Sequence, residues 1–407
     1  MNMVGESRDP LSKSFILRAG WLIDGTGDST KKDICLGISN GKIVSRGSFE
    51  NHKDKSNQET IIDYSGHTVI PCLVDCHVHL FMSGTGDASL REAQLHLSYE
   101  TARKAISINL RDHLLHGVAA VRDGGDYAGH VLRYRNEDHT NEKMPVFLKS
   151  AGKGWRAQGR YGKLVGRPPL PGENLCDAIL RENDDADHIK IVNSGLNSLK
   201  EFGKESAPQF NPDQLREVVN LSNSLGLKTM VHANGCEPVS QALDAGCHSI
   251  EHGFFMGTEN IMKMAEKGTT WVPTAFTMKA YEESPEIQPK ERDIAIKNYE
   301  HQLEQIKLAA KYGVQIATGT DSGSLGAHHG AAMCHEIGSL LEAGFSAEMA
   351  VKSATFNGAA LLGLDNLLGC LAKDSHASLV VLRGDKSCLP DSLASPAAVY
   401  IKGKQVL

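Results

Sequence analysis

The sequence lacks paired cysteines. Its nine cysteines are an odd number and are scattered singly, with no Cys-x-x-Cys motif. A disulfide framework and a thiolate zinc site both need thiols at suitable spacings, so neither is indicated. We expect most of these cysteines to be small buried hydrophobic residues.

A strong charge of one sign and a long apolar run at the start are also missing. The 43 basic and 49 acidic residues give a formal net charge of −6, which argues against a partner such as nucleic acid or an anionic membrane. Residues 1–15 mix charged and polar side chains, so no signal peptide or membrane anchor is predicted. The expected location is the cytoplasm, and a homo-oligomer is among the assemblies that the sequence allows.

What the sequence does have is a regular alternation of short apolar strands and helical stretches between residues 68 and 369. Such alternation favours βα units around a parallel sheet. Helices are predicted over 88–116, 212–225, 261–267 and 292–312. The eight candidate strands are 69–80, 117–123, 145–149, 188–192, 228–232, 248–252, 270–274 and 314–318. Eight strands with intervening helices predict an α/β fold of the (β/α)₈ TIM-type barrel class.

The two ends of the chain differ from this middle part, because both consist of short strands and turns. We therefore predict that residues 1–70 and 371–407 together form one small β-sandwich domain. Residues 71–370 are predicted to form the barrel domain that interrupts it.

The first predicted strand ends in two histidines, His77 and His79. Side chains at positions i and i+2 of a strand point to the same face, about 6 to 7 Å apart along the strand. Two imidazoles in this arrangement suit a divalent metal that takes nitrogen ligands, above all zinc. Two ligands alone do not make a site, so the rest of the chain must supply others.

Other titratable residues recur at the ends of the predicted barrel strands. Lys190 lies in the fourth strand, His232 ends the fifth, His252 ends the sixth and Asp321 follows the eighth. Functional residues of such barrels lie at the carboxyl ends of the strands. Burying this set without partners would be costly, and bound metal ions would resolve that cost.

Lys190 is unusual in this set because an ammonium group beside metal ions is electrostatically unfavourable. It lies between Ile189 and Ile191, where burial is expected to lower its pKa. A neutral amine can react with carbon dioxide to give an anionic carbamate. The two oxygens of that carbamate could bridge two metal ions.

The chain resembles the metal-dependent amidohydrolase superfamily in five separated motifs. Its likeness is greatest to the branch of imidazolonepropionase-like and prolidase-like enzymes, which includes dipeptidases acting on Xaa-Pro peptides. The likeness extends over nearly the whole chain. The motifs are Asp75–His79, Asp187–Val192, Val231–Gly235, Ile250–Gly253 and Gly319–Gly323.

The resemblance implies two divalent metal ions, most simply zinc, and a role for each residue. It implies that His77, His79, Asp321 and an N6-carboxylated Lys190 bind the first ion. His232 and His252 would bind the second ion, which shares the carbamate. The implied reaction is hydrolysis of an amide-type C–N bond by a bridging hydroxide, with Asp321 as the catalytic proton carrier.

A glycine-rich loop from 153 to 167 carries five basic residues and no acidic ones. On the active face of a barrel it would favour a small anionic substrate, for example one with a carboxylate. A solvated basic loop is the other interpretation. The predicted substrate contacts are Arg156, Arg160, Tyr161, Asn234 and His329.

The functional prediction is a dipeptide or N-acyl amino acid hydrolase with two metal ions. One alternative is a mononuclear deaminase or cyclic-amide hydrolase in which Lys190 is an ordinary lysine. A second alternative is a metal-stabilised scaffold or sensor barrel, which predicts closed metal coordination without an exchangeable water.

Overall fold

The structure is a computed structural model that describes residues 14–50, 60–182 and 185–407. The described residues fall into two compact units, with boundaries between Leu73 and Val74 and between Ser346 and Ala347. We call residues up to Leu73 together with Ala347–Leu407 the terminal unit, and Val74–Ser346 the central unit. The domain boundaries after residues 70 and 370 stay predictions from the sequence.

The strands of the described residues alternate with helices through the middle of the chain. They are β1 (Phe15–Leu22), β2 (Lys31–Ser39), β3 (Lys42–Ser48), β4 (Thr60–Pro71), β5 (Leu73–Val78), β6 (Val118–Asp123), β7 (Phe147–Ser150), β8 (Gly154–Trp155), β9 (Gly166–Arg167), β10 (His188–Val192), β11 (Lys228–Ala233), β12 (Ser249–His252), β13 (Thr270–Val272), β14 (Leu379–Arg383), β15 (Ala398–Ile401) and β16 (Lys404–Gln405).

The helices lie mostly in the central unit. They are α1 (Ala88–Gln94), α2 (Tyr99–Leu115), α3 (His130–Glu137), α4 (Leu175–Glu182), α5 (Pro212–Ser224), α6 (Cys236–Ala245), α7 (Gly257–Lys267), α8 (Phe276–Glu283), α9 (Pro289–Tyr312), α10 (Ala332–Glu342), α11 (Ala347–Ala354) and α12 (Phe356–Leu362). No helix of the described residues is both long and apolar enough to span a bilayer.

The terminal unit contains one seven-stranded sheet, in the order β16-β15-β14-β4-β1-β2-β3. The β1–β4 pair is parallel, and the pairs on either side of it are antiparallel. Strands from both ends of the chain therefore share a sheet, as predicted. One face of the sheet is apolar and includes Leu17, Leu36, Val69 and Leu379. Burying that face stabilises the unit.

The central unit contains two parallel sheets with helices in the connections, which is the mixed α/β pattern expected from the sequence. One sheet has the order β5-β6-β7 and the other has the order β13-β12-β11-β10-β8-β9. The strands β10 and β12 are buried at every position. Continuous burial explains why they appear in the sequence as unbroken apolar runs around single polar residues.

Backbone hydrogen bonds continue beyond the assigned strands. Asp187 N donates to Ser150 O at 2.9 Å, between the stretch before β10 and the end of β7. The segment 314–322 forms parallel bridges to β13 at Ile316 and to β5 at Ser322. The eighth predicted strand is thus present only as isolated bridges.

Two predicted elements are divided in the structure. The apolar stretch 69–80 is split at Cys72 into β4, which pairs with β14 and β1, and β5, which pairs with β6. Both halves are buried, so hydrophobicity alone gives no sign of the break. The predicted helix 88–116 is likewise two helices, because α1 ends at Gln94 and α2 begins at Tyr99, after the N-cap residue Ser98.

Candidate active site

One cavity of about 310 Å³ lies at the carboxyl ends of the central parallel strands. The predicted metal ligands reach it from the ends of β5, β11 and β12, from within β10 and from segment 314–322. The lining includes all six of them, namely His77, His79, Lys190, His232, His252 and Asp321. Residues far apart in sequence meet here because parallel strands end at the same edge of a sheet.

Three of these side chains are close enough to share one metal ion. Asp321 Oδ1 lies 3.3 Å from His79 Nε2 and 3.5 Å from His77 Nε2. The candidate ligand atoms of the three residues all lie within 4.8 Å of one another. Two imidazoles and one carboxylate suit a divalent ion such as zinc.

The two histidines of the first strand are held by bonds at their other ring nitrogen. His77 Nδ1 donates to Glu251 Oε2 at 2.9 Å, and His79 Nδ1 donates to Gly125 O at 3.1 Å. Each bond sets the tautomer that leaves Nε2 with a lone pair. Glu251 is held in turn by Arg122, whose Nη2 donates to Oε1 at 2.8 Å.

The other pair of histidines is oriented in the same way. His232 Nε2 donates to Gly195 O at 3.0 Å, and His252 Nδ1 is 2.7 Å from Thr274 Oγ1. The two rings lie edge to face with their centroids 4.6 Å apart. One ring nitrogen of each histidine is thereby left for a ligand, which is the arrangement usual around bound metals.

Three residues at or beside this site have strained backbones. Asp321, His252 and Thr274 adopt left-handed conformations, with φ of 52°, 67° and 47°. Such conformations cost about 1 to 3 kcal/mol each and persist where surrounding contacts impose them. The Asp321 backbone N–H donates to His77 O at 2.7 Å, which is one of those contacts.

Burial and the charge of Asp321 together set the ionisation of the site. It lowers the pKa of His232 to about 4 and that of His252 to about 3, so both imidazoles are neutral near pH 7. Although burial opposes it, the hydrogen bond and negative charge of Asp321 raise the pKa of His79. Burial lowers the pKa of Lys190 to about 8, the direction that the flanking isoleucines predicted.

These residues fit a divalent metal centre. Neutral imidazoles are the protonation state that coordinates metals, and a cation would replace the proton shared by Asp321 and His79. Lys190 is 2% exposed, and no described side chain forms a hydrogen bond or ion pair with its Nζ. A buried amine in that position is unfavourable unless it is neutral or modified.

The predicted substrate residues divide into two groups. Tyr161 and Asn234 line the cavity, whereas Arg156, Arg160 and His329 are not among the lining side chains. The guanidinium groups of Arg156 and Arg160 instead donate to backbone carbonyl oxygens of the loops. The substrate roles of all five residues stay predictions.

The ring of His329 explains its absence from the cavity. Its Nε2 is 2.7 Å from Met82 O and its Nδ1 is 3.1 Å from His113 Nε2. Both nitrogens are therefore used inside the protein.

Several lining residues were missed by the sequence interpretation. Arg91, Asn197, Thr277, Tyr281 and Ser324 all contribute to the cavity wall. They lie on helices or loops rather than at strand ends, so the strand-end rule did not select them. The position of Ser324, directly after the motif Gly319–Gly323, was an available signal, whereas Arg91 lies twelve residues after His79.

Comparison with known proteins agrees with this site. The model of the amidohydrolase family matches residues 68–406, and the chain belongs to that family. The ochratoxinase of Aspergillus niger is 25% identical over 407 residues, covering 91% of this chain and 81% of the relative. The imidazolonepropionase of Geobacillus kaustophilus is 22% identical, covering 94% and 89%. The resemblance predicted from the five motifs is confirmed.

Solved structures give the same result. A Xaa-Pro dipeptidase with methionine bound in its active site is 26% identical and superposes with a TM-score of 0.80. The match covers 97% of this chain and 99% of the dipeptidase. The family and its hydrolytic neighbours identify the chain as a hydrolase of the amidohydrolase superfamily.

Proposed function

We propose that the chain is a metal-dependent hydrolase that cleaves an amide-type C–N bond in a small carboxylate-bearing compound, a dipeptide or an N-acyl amino acid. The observation that carries this proposal is the convergence of four histidines, Lys190 and Asp321 on one cavity. The names of the ochratoxinase and the Xaa-Pro dipeptidase among its relatives support the same class of reaction.

The proposed architecture is a closed (β/α)₈ barrel in the central unit and a β-sandwich domain from the two chain ends. A continuous series of parallel contacts supports the barrel. It runs from β5 through β6 and β7 to β10, on through β11, β12 and β13, and returns to β5 through segment 314–322. The apolar face of the terminal sheet supports the sandwich, since such a face needs a covering layer.

The proposed cofactor is a pair of zinc ions. His77, His79, Asp321 and Lys190 would hold one ion, and His232, His252 and Lys190 the other. Lys190 serves both if its amine is carboxylated, because a carbamate offers two oxygens. When bound, divalent ions polarise a carbonyl group and lower the pKa of water.

The proposed proton carrier in hydrolysis is Asp321. Its Oδ1 faces His77 and His79, and its Oδ2 accepts a hydrogen bond from Ser324 Oγ at 2.9 Å. Although burial opposes it, the neighbouring histidines lower the pKa of Asp321, so the group is a carboxylate at neutral pH. We propose that Asp321 takes a proton from the attacking water and gives it to the leaving nitrogen.

The second candidate is a deaminase or cyclic-amide hydrolase with a single metal ion. The compact group of His77, His79 and Asp321 favours it, because these three residues alone make a one-metal site. Lys190 would then be an unmodified amine.

A substrate screen tests the proposal. Zinc-loaded protein is assayed against dipeptides, N-acyl amino acids and cyclic amides, and we expect turnover of at least one linear amide. The Lys190→Ala variant is expected to lose that turnover, whereas Lys104→Ala, at an exposed position on α2, should keep it. Full activity of Lys190→Ala would contradict the bridging role. Turnover of cyclic amides alone would favour the second candidate.

A further inference from the structure

Arg91 is a cation in the cavity wall without a carboxylate partner among the described residues. It lies on α1, and its Nη1 donates to Gly323 O at 3.0 Å and to Thr85 O at 3.4 Å. Both acceptors are neutral carbonyl groups, so the charge of the half-buried guanidinium is not compensated by them. Its remaining N–H groups make it a site for an anion.

The position of Arg91 is tied to the predicted metal ligands. Gly323, which accepts its hydrogen bond, follows Asp321 by two residues and has φ of 99°. A Cβ atom at Gly323 would lie 2.6 Å from His79 O, so this backbone has to pack directly against the His-x-His segment. Arg91 is therefore fixed to the same backbone that positions His79 and Asp321.

Most of the remaining cavity wall is apolar. The side chains in question are Leu164, Val165, Val192, Leu196, Leu199, Phe254 and Met278. Tyr161 and Tyr281 add aromatic surface. A cavity of about 310 Å³ with such walls suits a small ligand that combines apolar groups with a few polar ones.

The described lining of the cavity offers no acidic group that is free to receive a substrate ammonium. Among its described lining residues, Asp321 is the only carboxylate, and it faces His77 and His79. Asp87, Glu283 and Glu286 line a different cavity. A dipeptide with a free amino terminus would leave its cation unpaired beside the apolar wall, which is unfavourable.

We propose that Arg91 binds the carboxylate of an N-acyl amino acid whose acyl group and side chain are both apolar. This inference rests on the proposed function and names its substrate class. In the reaction the oxygen of one water bonds to the acyl carbon as the C–N bond breaks. The leaving nitrogen takes a proton, and the products are a carboxylic acid and an amino acid.

Three matched compounds test the substrate class with zinc-loaded full-length protein. N-acetyl-L-phenylalanine has the proposed features, glycyl-L-phenylalanine adds only the ammonium, and N-acetyl-L-phenylalaninamide lacks the carboxylate. We expect kcat/KM for the first to exceed that for each of the others by about tenfold or more, the effect of one charged interaction. A preference for glycyl-L-phenylalanine would overturn the inference while leaving the hydrolase proposal intact.

Variants at Arg91 test the residue itself. Arg91→Met is expected to lower kcat/KM for N-acetyl-L-phenylalanine by about tenfold or more, mainly through KM, and Arg91→Lys to recover part of it. The loss should be smaller for the amide, which has no carboxylate. Arg216→Met is the matched control, because Arg216 is exposed on α5 and pairs with Asp213 at 2.7 Å. Equal losses for acid and amide would assign Arg91 a structural role and overturn the inference.

Binding of 3-phenylpropanoate separates the two proposals, because this carboxylate has no bond to hydrolyse. Calorimetry is expected to show binding to the unmodified protein and about tenfold weaker binding to Arg91→Met. If this holds while no amide is hydrolysed, the anion site stands and the hydrolase proposal fails. Equal affinity for both proteins would overturn the role of Arg91.

Discussion

Two buried charged residues, Asp24 of the terminal unit and Lys190 of the central unit, differ in whether other side chains pair with their charge. In the terminal unit, Asp24 accepts hydrogen bonds from Thr26 Oγ1 at 2.6 Å and Arg46 Nη2 at 2.7 Å, and Lys31 Nζ lies 3.4 Å away. In the central unit, Lys190 is also buried, and no side chain of the described residues forms such a contact with it. A buried polar group that only stabilises the fold has hydrogen-bond partners within the protein.

The same contrast applies to each histidine of the cavity. One ring nitrogen is bonded to the protein, as His232 is to Gly195 O, and the other faces the cavity. Polar groups left without a protein partner at one place need a partner from outside. The difference between paired and unpaired buried groups therefore indicates where a ligand binds and where a polar group only stabilises the fold.

The largest effect should come from Asp321→Asn. The change removes the proposed proton carrier, and we expect turnover of the best amide substrate to fall about 10²- to 10⁴-fold. Asp24→Asn is the comparison, because it alters an aspartate that is more buried than Asp321 and lies outside the cavity, so it should leave kcat unchanged. Steady-state kinetics of both variants measure the difference in kcat. Normal turnover of Asp321→Asn would contradict the role of Asp321 as proton carrier.

The next effect concerns the residue that orients His77. Glu251→Gln weakens the acceptor for His77 Nδ1 and the partner of Arg122, so we expect zinc affinity to fall about 10- to 100-fold. Glu336→Gln is the matched control, since Glu336 is also buried but accepts only from the backbone of Ala275 and Phe276. Competition with a chromogenic chelator measures the affinities. Equal affinities for both variants would show that Glu251 does not support the ligand.

A smaller effect is expected when a buried aspartate of the terminal unit is replaced, and it concerns stability. Asp24→Asn weakens the charged hydrogen bond to Arg46, and we expect the free energy of unfolding to fall by about 1 to 2 kcal/mol. Asp321→Asn should cost less stability, because the described partners of the Asp321 side chain are His77, His79 and Ser324, which line the cavity. Urea denaturation measures both. A larger loss for Asp321→Asn would reverse the assignment of structural and functional groups.

The smallest effect is the pH dependence of the same Asp24 pair. Although burial raises it, hydrogen bonds from Thr26 and Arg46 lower the pKa of Asp24 to about 2, below the value of about 3.9 in an unfolded chain. A lowered pKa stabilises the fold above the unfolded value, and this contribution is lost as pH falls from about 4 to 2. The stability difference between the unmodified protein and Asp24→Asn should therefore shrink in that interval. A constant difference would contradict the lowered pKa.

The sequence identified those site residues whose position follows from local pattern. His77, Lys190 and His252 each lie in a short buried strand, so an apolar run around one polar residue indicated them. Arg91 could not be found in this way, because it lies on a helix, and only tertiary packing brings that helix to the cavity. The sequence shows that Arg156 is charged. It does not show that the guanidinium of Arg156 donates a hydrogen bond to a backbone carbonyl oxygen.

The fold shows the same limit. Alternating apolar runs were enough to predict parallel strands and intervening helices. The break at Cys72 was hidden, because β4 and β5 are both buried although they belong to different sheets. The pattern of apolar residues indicates that a strand is buried. It does not indicate to which sheet the strand belongs.

The most direct test of the central claim is the number of zinc ions bound per chain, measured by mass spectrometry after assembly with and without bicarbonate. We expect two ions with bicarbonate, and fewer in its absence or in Lys190→Ala. One ion per chain, whatever the bicarbonate concentration, would contradict a carboxylated lysine between two metals.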